Sequence, residues 1–308
     1  MLLRSIPHLH SGSELPILLR CVALYTSRQR STDGSGFLSP VVDRPNSSLP
    51  YSVSPNVRQR QFVVLATGLP INIGISIMGK PNADEKIISY NDVVLRKSDL
   101  DILSGPCFLN DRIIEFYFSH LSSCHPSKEL LLVPPSISFW IANSPDKQSL
   151  NEVLRPLNLP ARTLVIFPVN DNLDFSTPEG GSHWSLLVFE RNTNTFFHHD
   201  SYRGSNCNHA WRLHENVGPF MRPGSGSGTK YVDCPDSPQQ ENSHDCGLYV
   251  TAIAGVICRW YDNCGELKDP EGLWFSAVEE EVTPCSVAQM RYRILGLLRD
   301  LMVGTGSC

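Results

Sequence analysis

The segment CGLYVTAIAGVICRWY, residues 246–261, constrains this chain more than any other stretch, because it is apolar on nearly every face. A helix with no polar side has to be covered all round by other elements, so it belongs at the centre of a domain. It opens directly after the polar run SPQQENSHD, residues 237–245, which places a sharp loop-to-helix boundary at Cys246. The 308 residues, 41% of them hydrophobic, supply enough chain for such a core.

From about Glu85 onward, helical and strand signals alternate as they do in a single α+β domain, expected to span 85–303. In LNDRIIEFYFSHL, Asn110 or Asp111 caps a helix whose Ile113, Ile114, Tyr117 and Leu121 share one face. Further helices are expected over 136–142, 145–154 and 205–215, and an amphipathic one over 286–301. TLVIFPV (163–169) and HWSLLVFE (183–190) read as central strands, apolar on both faces. RNTN (191–194) turns the second of these into TFFHHD (195–200), an antiparallel hairpin. RPGSGSGTK reads as a surface loop leading to a short strand at 230–233.

Residues 1–80 are rich in Ser, Pro and Arg and show no sustained periodicity, so disorder is expected there. Up to Ser31 four arginines face the single acid Glu14, the balance of an organelle transit peptide; equally, Met78 reads as a natural start, with an added tail before it. The apolar stretch 62–78 is broken by Gly68, Pro70, Asn72 and Gly74 and is too short to span a membrane. With 31 acidic against 26 basic residues and no long basic run, nucleic acid is not an expected partner. The ten cysteines are scattered without a CxxC pair, which argues against a zinc finger and for thiols in a reducing compartment, the cytosol or nucleus.

Three residues stand where chemistry is favoured. His183 begins one strand of the hairpin and Asp200 ends the other, so the two are neighbours. A carboxylate beside an imidazole holds one ring nitrogen as donor and leaves the other to exchange a proton with a thiol. Cys246 opens the buried helix, where unpaired N–H groups and the macrodipole favour a thiolate. Its own N–H and the side chain of Gln240 are positioned to hold an oxyanion. Each residue alone has a plain structural reading: a core cysteine, a satisfied histidine, a turn-capping aspartate. His198, His199 and Asp200 together form only a weak metal motif, and the thiol mechanism calls for neither metal nor cofactor.

GGSHWSLLVFERNTNTFFHHDS (180–201) followed by PQQENSHDCGLYV (238–250), with GPCFLNDRIIEFY and IFPVND upstream, resembles the ubiquitin-like-protein proteases, also called sentrin-specific proteases. The likeness is greatest to their deneddylase branch, which acts on the modifier Nedd, called RUB in plants. It implies a papain-like cysteine protease fold with His183, Asp200, Gln240 and Cys246 as catalytic residues, His and Asp preceding Cys in the chain. It also implies that Trp184 roofs a tunnel that admits only a Gly-Gly tail, since a Cβ would clash with the indole. Phe108 stands where the family usually has tryptophan, and Asn110 and Asp111 are implied as modifier contacts. The expected partners are Nedd/RUB and its conjugates, cullins among them. A SUMO-directed protease of the same family, a non-catalytic modifier-binding module and a related acyltransferase are the alternatives; the intact quartet speaks against the second and the lack of a phosphate cradle against the third.

Overall fold

The computed structural model describes residues 85–144, 146–177, 180–222, 228–264 and 272–304. The expectations for residues 1–80 lie outside them. A hairpin of β1 (Lys86–Tyr90) and β2 (Val93–Arg96) comes first. Its two-residue turn, Asn91 and Asp92, has φ of 44° and 69°, the left-handed pair that matches the twist of paired strands. Helix α1 (Lys97–Ser104) follows, then α2 (Asp111–Cys124), capped by Asn110 through its side-chain oxygen and the Ile113 N–H.

Next come β3 (Leu130–Leu132), α3 (Pro135–Asn143) and α4 (Lys147–Leu154), then two 3-10 turns at Arg155–Leu157 and Leu159–Ala161. Pro135 at the first position of α3 lacks only an N–H that would have had no partner there. Strands β4 (Leu164–Asn170), β5 (Trp184–Glu190), β6 (Thr195–His199) and β7 (Lys230–Asp233) complete a five-stranded sheet with β3, in order β3-β4-β5-β6-β7. The outer pairs are parallel and the inner pairs antiparallel, so the sheet is mixed and the domain α+β. Helix α5 (Cys207–Met221) lies between β6 and β7 in the chain, and α6 (Cys246–Cys264), α7 (Phe275–Glu281) and α8 (Pro284–Val303) close it.

The sheet is covered on both faces, because alternate side chains of a strand point opposite ways. Leu164, Ile166, Leu186 and Val188 join the core built around α6, whose Leu248, Val250, Ile253, Ala254 and Ile257 are buried. Helices α2, α7 and α8 surround α6 on its other sides, so the all-apolar segment is indeed central. Phe189 and Phe196 face the other way, and Phe196 meets the α5 residue His214 edge-on at 5.0 Å.

Several expected bounds shift. Helix α5 runs to Met221 rather than 215, because Val217 and Met221 still have an apolar face to bury, and α6 runs to Cys264 rather than 261. Strand β6 stops at His199, one residue short, since the Asp200 side chain turns to bind backbone N–H groups of the following loop. Cys124 is disulfide-bonded, a departure from the free thiols expected of most cysteines here, whereas Cys107, Cys207, Cys234, Cys246, Cys258 and Cys285 are free. No helix among the described residues is long and apolar enough to cross a membrane.

Candidate active site

The β5–β6 hairpin carries two of the expected site residues. Its turn is held by Glu190, whose carboxylate accepts from the N–H groups of Asn192 (2.8 Å) and Thr193 (2.7 Å), while Asn194 adopts φ 53°. That turn fixes the register Leu186 opposite His199, so His183 and Asp200 emerge side by side at the far end. His183 Nε2 lies 2.7 Å from Asp200 Oδ1, both residues being buried. Asp200 Oδ1 also accepts from the Tyr202 N–H, and its Oδ2 from the Asn206 N–H, each at 2.8 Å.

These contacts set the charges. Burial pushes the Asp200 carboxyl up, but the bonds from His183, Asn206 and Tyr202 outweigh it and hold the group below the usual carboxylate range. Burial likewise works against a charged His183, yet donation to Asp200 and to the Cys246 sulfur raises it to about 9. The ring is therefore an imidazolium at neutral pH. With Nε2 engaged by Asp200, the nitrogen left for Cys246 is Nδ1.

Cys246 is the first residue of α6, and its side chain is 0% exposed. Asp245 supplies the carbonyl that accepts the N–H groups of Leu248 and Tyr249, and its carboxylate is tied to Asn242 and Arg291. A cysteine at this place meets the positive end of a 19-residue helix. Gly247 is required by packing: a Cβ there would lie 2.8 Å from the Leu109 Cβ.

Gln240 is anchored from three directions. Its N–H donates to the Ser201 carbonyl (2.8 Å), its Oε1 accepts from the Ser201 hydroxyl (2.8 Å), and its Nε2 donates to the Asn242 carbonyl (2.6 Å). An amide nitrogen carries two protons, so the second remains to donate. The neighbouring Gln239 donates to the Asp200 carbonyl at 2.9 Å and ties the approach loop to the carboxylate strand.

Trp184, at 9% exposure, donates its indole N–H to the Leu109 carbonyl at 3.0 Å, which sets it against the 108–110 segment. Phe108 is 46% exposed and so stands open rather than packed into the core. Asn110 is occupied within the fold: besides capping α2, it donates to Asp99 at 2.7 Å, and the fully buried Asp99 also receives the Arg112 guanidinium. That geometry favours the capping role for Asn110. Asp111, partly exposed, sits one turn before Glu115, whose carboxyl rises to about 7 through burial and then through the Asp111 charge.

Sequence reasoning passed over Asp171. Its carboxylate accepts from the N–H and hydroxyl of Ser182 (2.6 and 2.7 Å) and from the His183 N–H (3.1 Å). Asn206 was passed over too; it is fully buried and donates to the Val169 and His183 carbonyls at 3.3 Å. Both hold the backbone that carries His183. Asp171 lies within IFPVND, a stretch the resemblance had picked out without giving it a role.

Residues 140–259 match the Ulp1 protease family, C-terminal catalytic domain, a span that contains His183, Asp200, Gln240 and Cys246. The chain is 51% identical over 225 residues to NEDD8-specific protease 1 of Arabidopsis thaliana, covering 73% of this chain and 97% of that protein. It is 36% identical over 180 residues to sentrin-specific protease 8 of Mus musculus, covering 57% of this chain and 79% of that one. Among solved structures it is similar to the catalytic domain of the Ulp1-like SUMO protease of Chaetomium thermophilum. There the TM-score is 0.52 at 18% identity, with 74% of this chain and 85% of that one covered, a likeness of fold alone. The quartet's geometry and these likenesses agree, and the chain belongs to the Ulp1 protease family of cysteine peptidases.

Proposed function

We propose that this enzyme cleaves the peptide or isopeptide bond after the terminal Gly-Gly of NEDD8, the RUB modifier, both maturing the precursor and releasing the modifier from lysines. The observation that carries the reading is the 51% identity sustained over 97% of a NEDD8-specific protease. The SUMO proteases similar to this chain stand near 18% identity and speak for fold only.

Cys246 is the nucleophile in this reading. Its sulfur attacks the glycine carbonyl, and the oxyanion is received by the Cys246 N–H and the second Nε2 proton of Gln240. His183, with Nε2 held by Asp200, gives the Nδ1 proton to the departing amine, which leaves a thioester between Cys246 and the modifier. Neutral His183 then takes a proton from water, the resulting hydroxide attacks the thioester, and the carboxylate product departs as the sulfur is released. Trp184 roofs the passage to the sulfur, and the absence of a Cβ lets Gly-Gly through. Asp111 and the exposed Phe108 contact the modifier outside that passage. Cullins are among the conjugates this reading implies, with the cytosol or nucleus as the site of action.

The test is capture of NEDD8 and of SUMO carrying an electrophile at the C-terminal glycine. NEDD8 capture that vanishes in Cys246→Ala supports the proposal. Capture of SUMO alone overturns the specificity, and capture of neither by the unaltered chain overturns the activity.

A further inference from the structure

On the side of the hairpin away from the nucleophile, three side chains from three elements meet: His198 of β6, Cys207 at the start of α5 and Asp233 at the end of β7. One nitrogen, one sulfur and one oxygen lie within 4.8 Å of one another. His198 Nδ1 is 2.8 Å from Asp233 Oδ1, and the Cys207 Sγ is 3.4 Å from the same oxygen. We infer that His198, Cys207 and Asp233 form a binding site for a zinc-like divalent cation, separate from the catalytic thiol.

The spacing suits the metal. Zinc bonds of about 2.0–2.3 Å at tetrahedral angles set neighbouring donors roughly 3.3–3.7 Å apart, so small side-chain adjustments bring these three into range. A mixed imidazole, thiol and carboxylate set favours zinc over magnesium or calcium, which take oxygen donors.

Two of the three donors are already held by neighbouring side chains. The far nitrogen of His198, Nε2, lies 3.0 Å from the hydroxyl of the fully buried Ser185, the partner that fixes which nitrogen of a ligating histidine faces the ion. Tyr231 donates its hydroxyl to Asp233 Oδ1 at 2.8 Å, which orients that carboxylate. His198 is buried, whereas the Asp233 side chain is 52% exposed and opens the path from solvent. On binding, the Cys207 Sγ–H bond gives way to a sulfur–metal bond and that proton leaves to solvent. Neutral His198 binds through Nδ1 with its proton on Nε2, donating to Ser185.

The site adjoins the catalytic carboxylate through the backbone. His198 is two residues before Asp200, and Cys207 follows Asn206, whose N–H donates to Asp200 Oδ2. An ion here would pin the strand and helix start that hold Asp200 in place.

The experiment uses the full chain with Cys246→Ala, because a catalytic thiol beside an imidazole also attracts zinc. Zinc is titrated in competition with a chromophoric chelator, and cobalt(II) serves as the spectroscopic substitute. One equivalent of zinc bound, with a thiolate-to-cobalt charge-transfer band, is expected. Cys207→Ser in the same background loses the band, and Ser185→Ala weakens zinc binding by about 10- to 100-fold. Circular dichroism of each metal-free variant checks that it is folded. No zinc bound by the Cys246→Ala chain, or binding unchanged by Cys207→Ser, overturns the site.

Discussion

Trp184 and Leu109 are joined by a 3.0 Å hydrogen bond from the indole N–H to the backbone carbonyl, and the Leu109 side chain rests on the backbone of Gly247. One residue thus links the aromatic ring beside the site to the helix that carries Cys246. Gly247→Ala would place a methyl 2.8 Å from the Leu109 Cβ and force the segment outward. Overpacking of this kind costs about 1–3 kcal/mol. The variant is expected to melt at lower temperature and to lose activity beyond what the melting explains; unchanged melting would show that Leu109 yields freely.

Asp200 holds His183 by one short bond and is itself held by two backbone N–H groups. Asp200→Asn keeps the shape but not the charge, and loss of the orienting carboxylate in related catalytic triads lowers kcat by about 10,000-fold. Because the Asp200 bond helps to raise His183 to about 9, the alkaline limb of the activity profile should also move to lower pH. A profile whose limb stays in place would separate Asp200 from the titration of His183.

Stability should depend on pH from both sides. His183 stands at about 9 in the fold against 6.5 ordinarily, so the folded state holds the extra proton. Its contribution is complete below about pH 6.5 and is lost as pH climbs to about 9. His199 does the opposite. Burial, then the nearby His198, lowers it to about 3, and as a neutral ring it accepts from the Trp274 indole and bonds Ser237. Its contribution is present above about pH 6.5 and falls away toward pH 3. Thermal melts across this range should show both declines, and His183→Ala should remove the alkaline one.

Asp171→Ala should act mainly through position, since the carboxylate accepts from the backbone and hydroxyl of Ser182 and from the backbone of His183. Misplacing a catalytic group by about 1 Å costs up to ~100-fold in rate. The expected signature is a fall in kcat with KM little changed; a change confined to KM would point to substrate contact instead.

Asn110→Ala should destabilise the fold by about 0.5–2 kcal/mol as a lost helix cap. If Asn110 also contacts the modifier, KM would rise well above what the stability loss accounts for, and steady-state kinetics beside a denaturant melt distinguishes the two.

The hairpin and the buried helix were legible in the sequence because their signals are local: a four-residue polar turn between apolar runs, and a polar loop ending at Cys246. That was enough to bring His183 beside Asp200. Strand β3, three residues long, takes its identity only from pairing with β4 and leaves no periodicity to read. The β1–β2 hairpin did carry a signal, Asn91-Asp92 between IISY and VVLR, that the reading passed over. Asp171 and Asn206 were invisible for a different reason. Their roles depend on which backbone groups the fold leaves without partners, and no spacing along the chain encodes that.

The residues of the site come together by unlike routes. His183 and Asp200, 17 residues apart, are brought together by one tight hairpin, whereas Cys246 arrives on a helix that needs α2, α7 and α8 around it before it is covered. Closing a long loop costs more chain entropy than closing a short one. On the proposed roles, Cys246 meets its base only through contacts that span the domain, so loosening the core far from the hairpin would part the sulfur from the imidazole while leaving His183 beside Asp200.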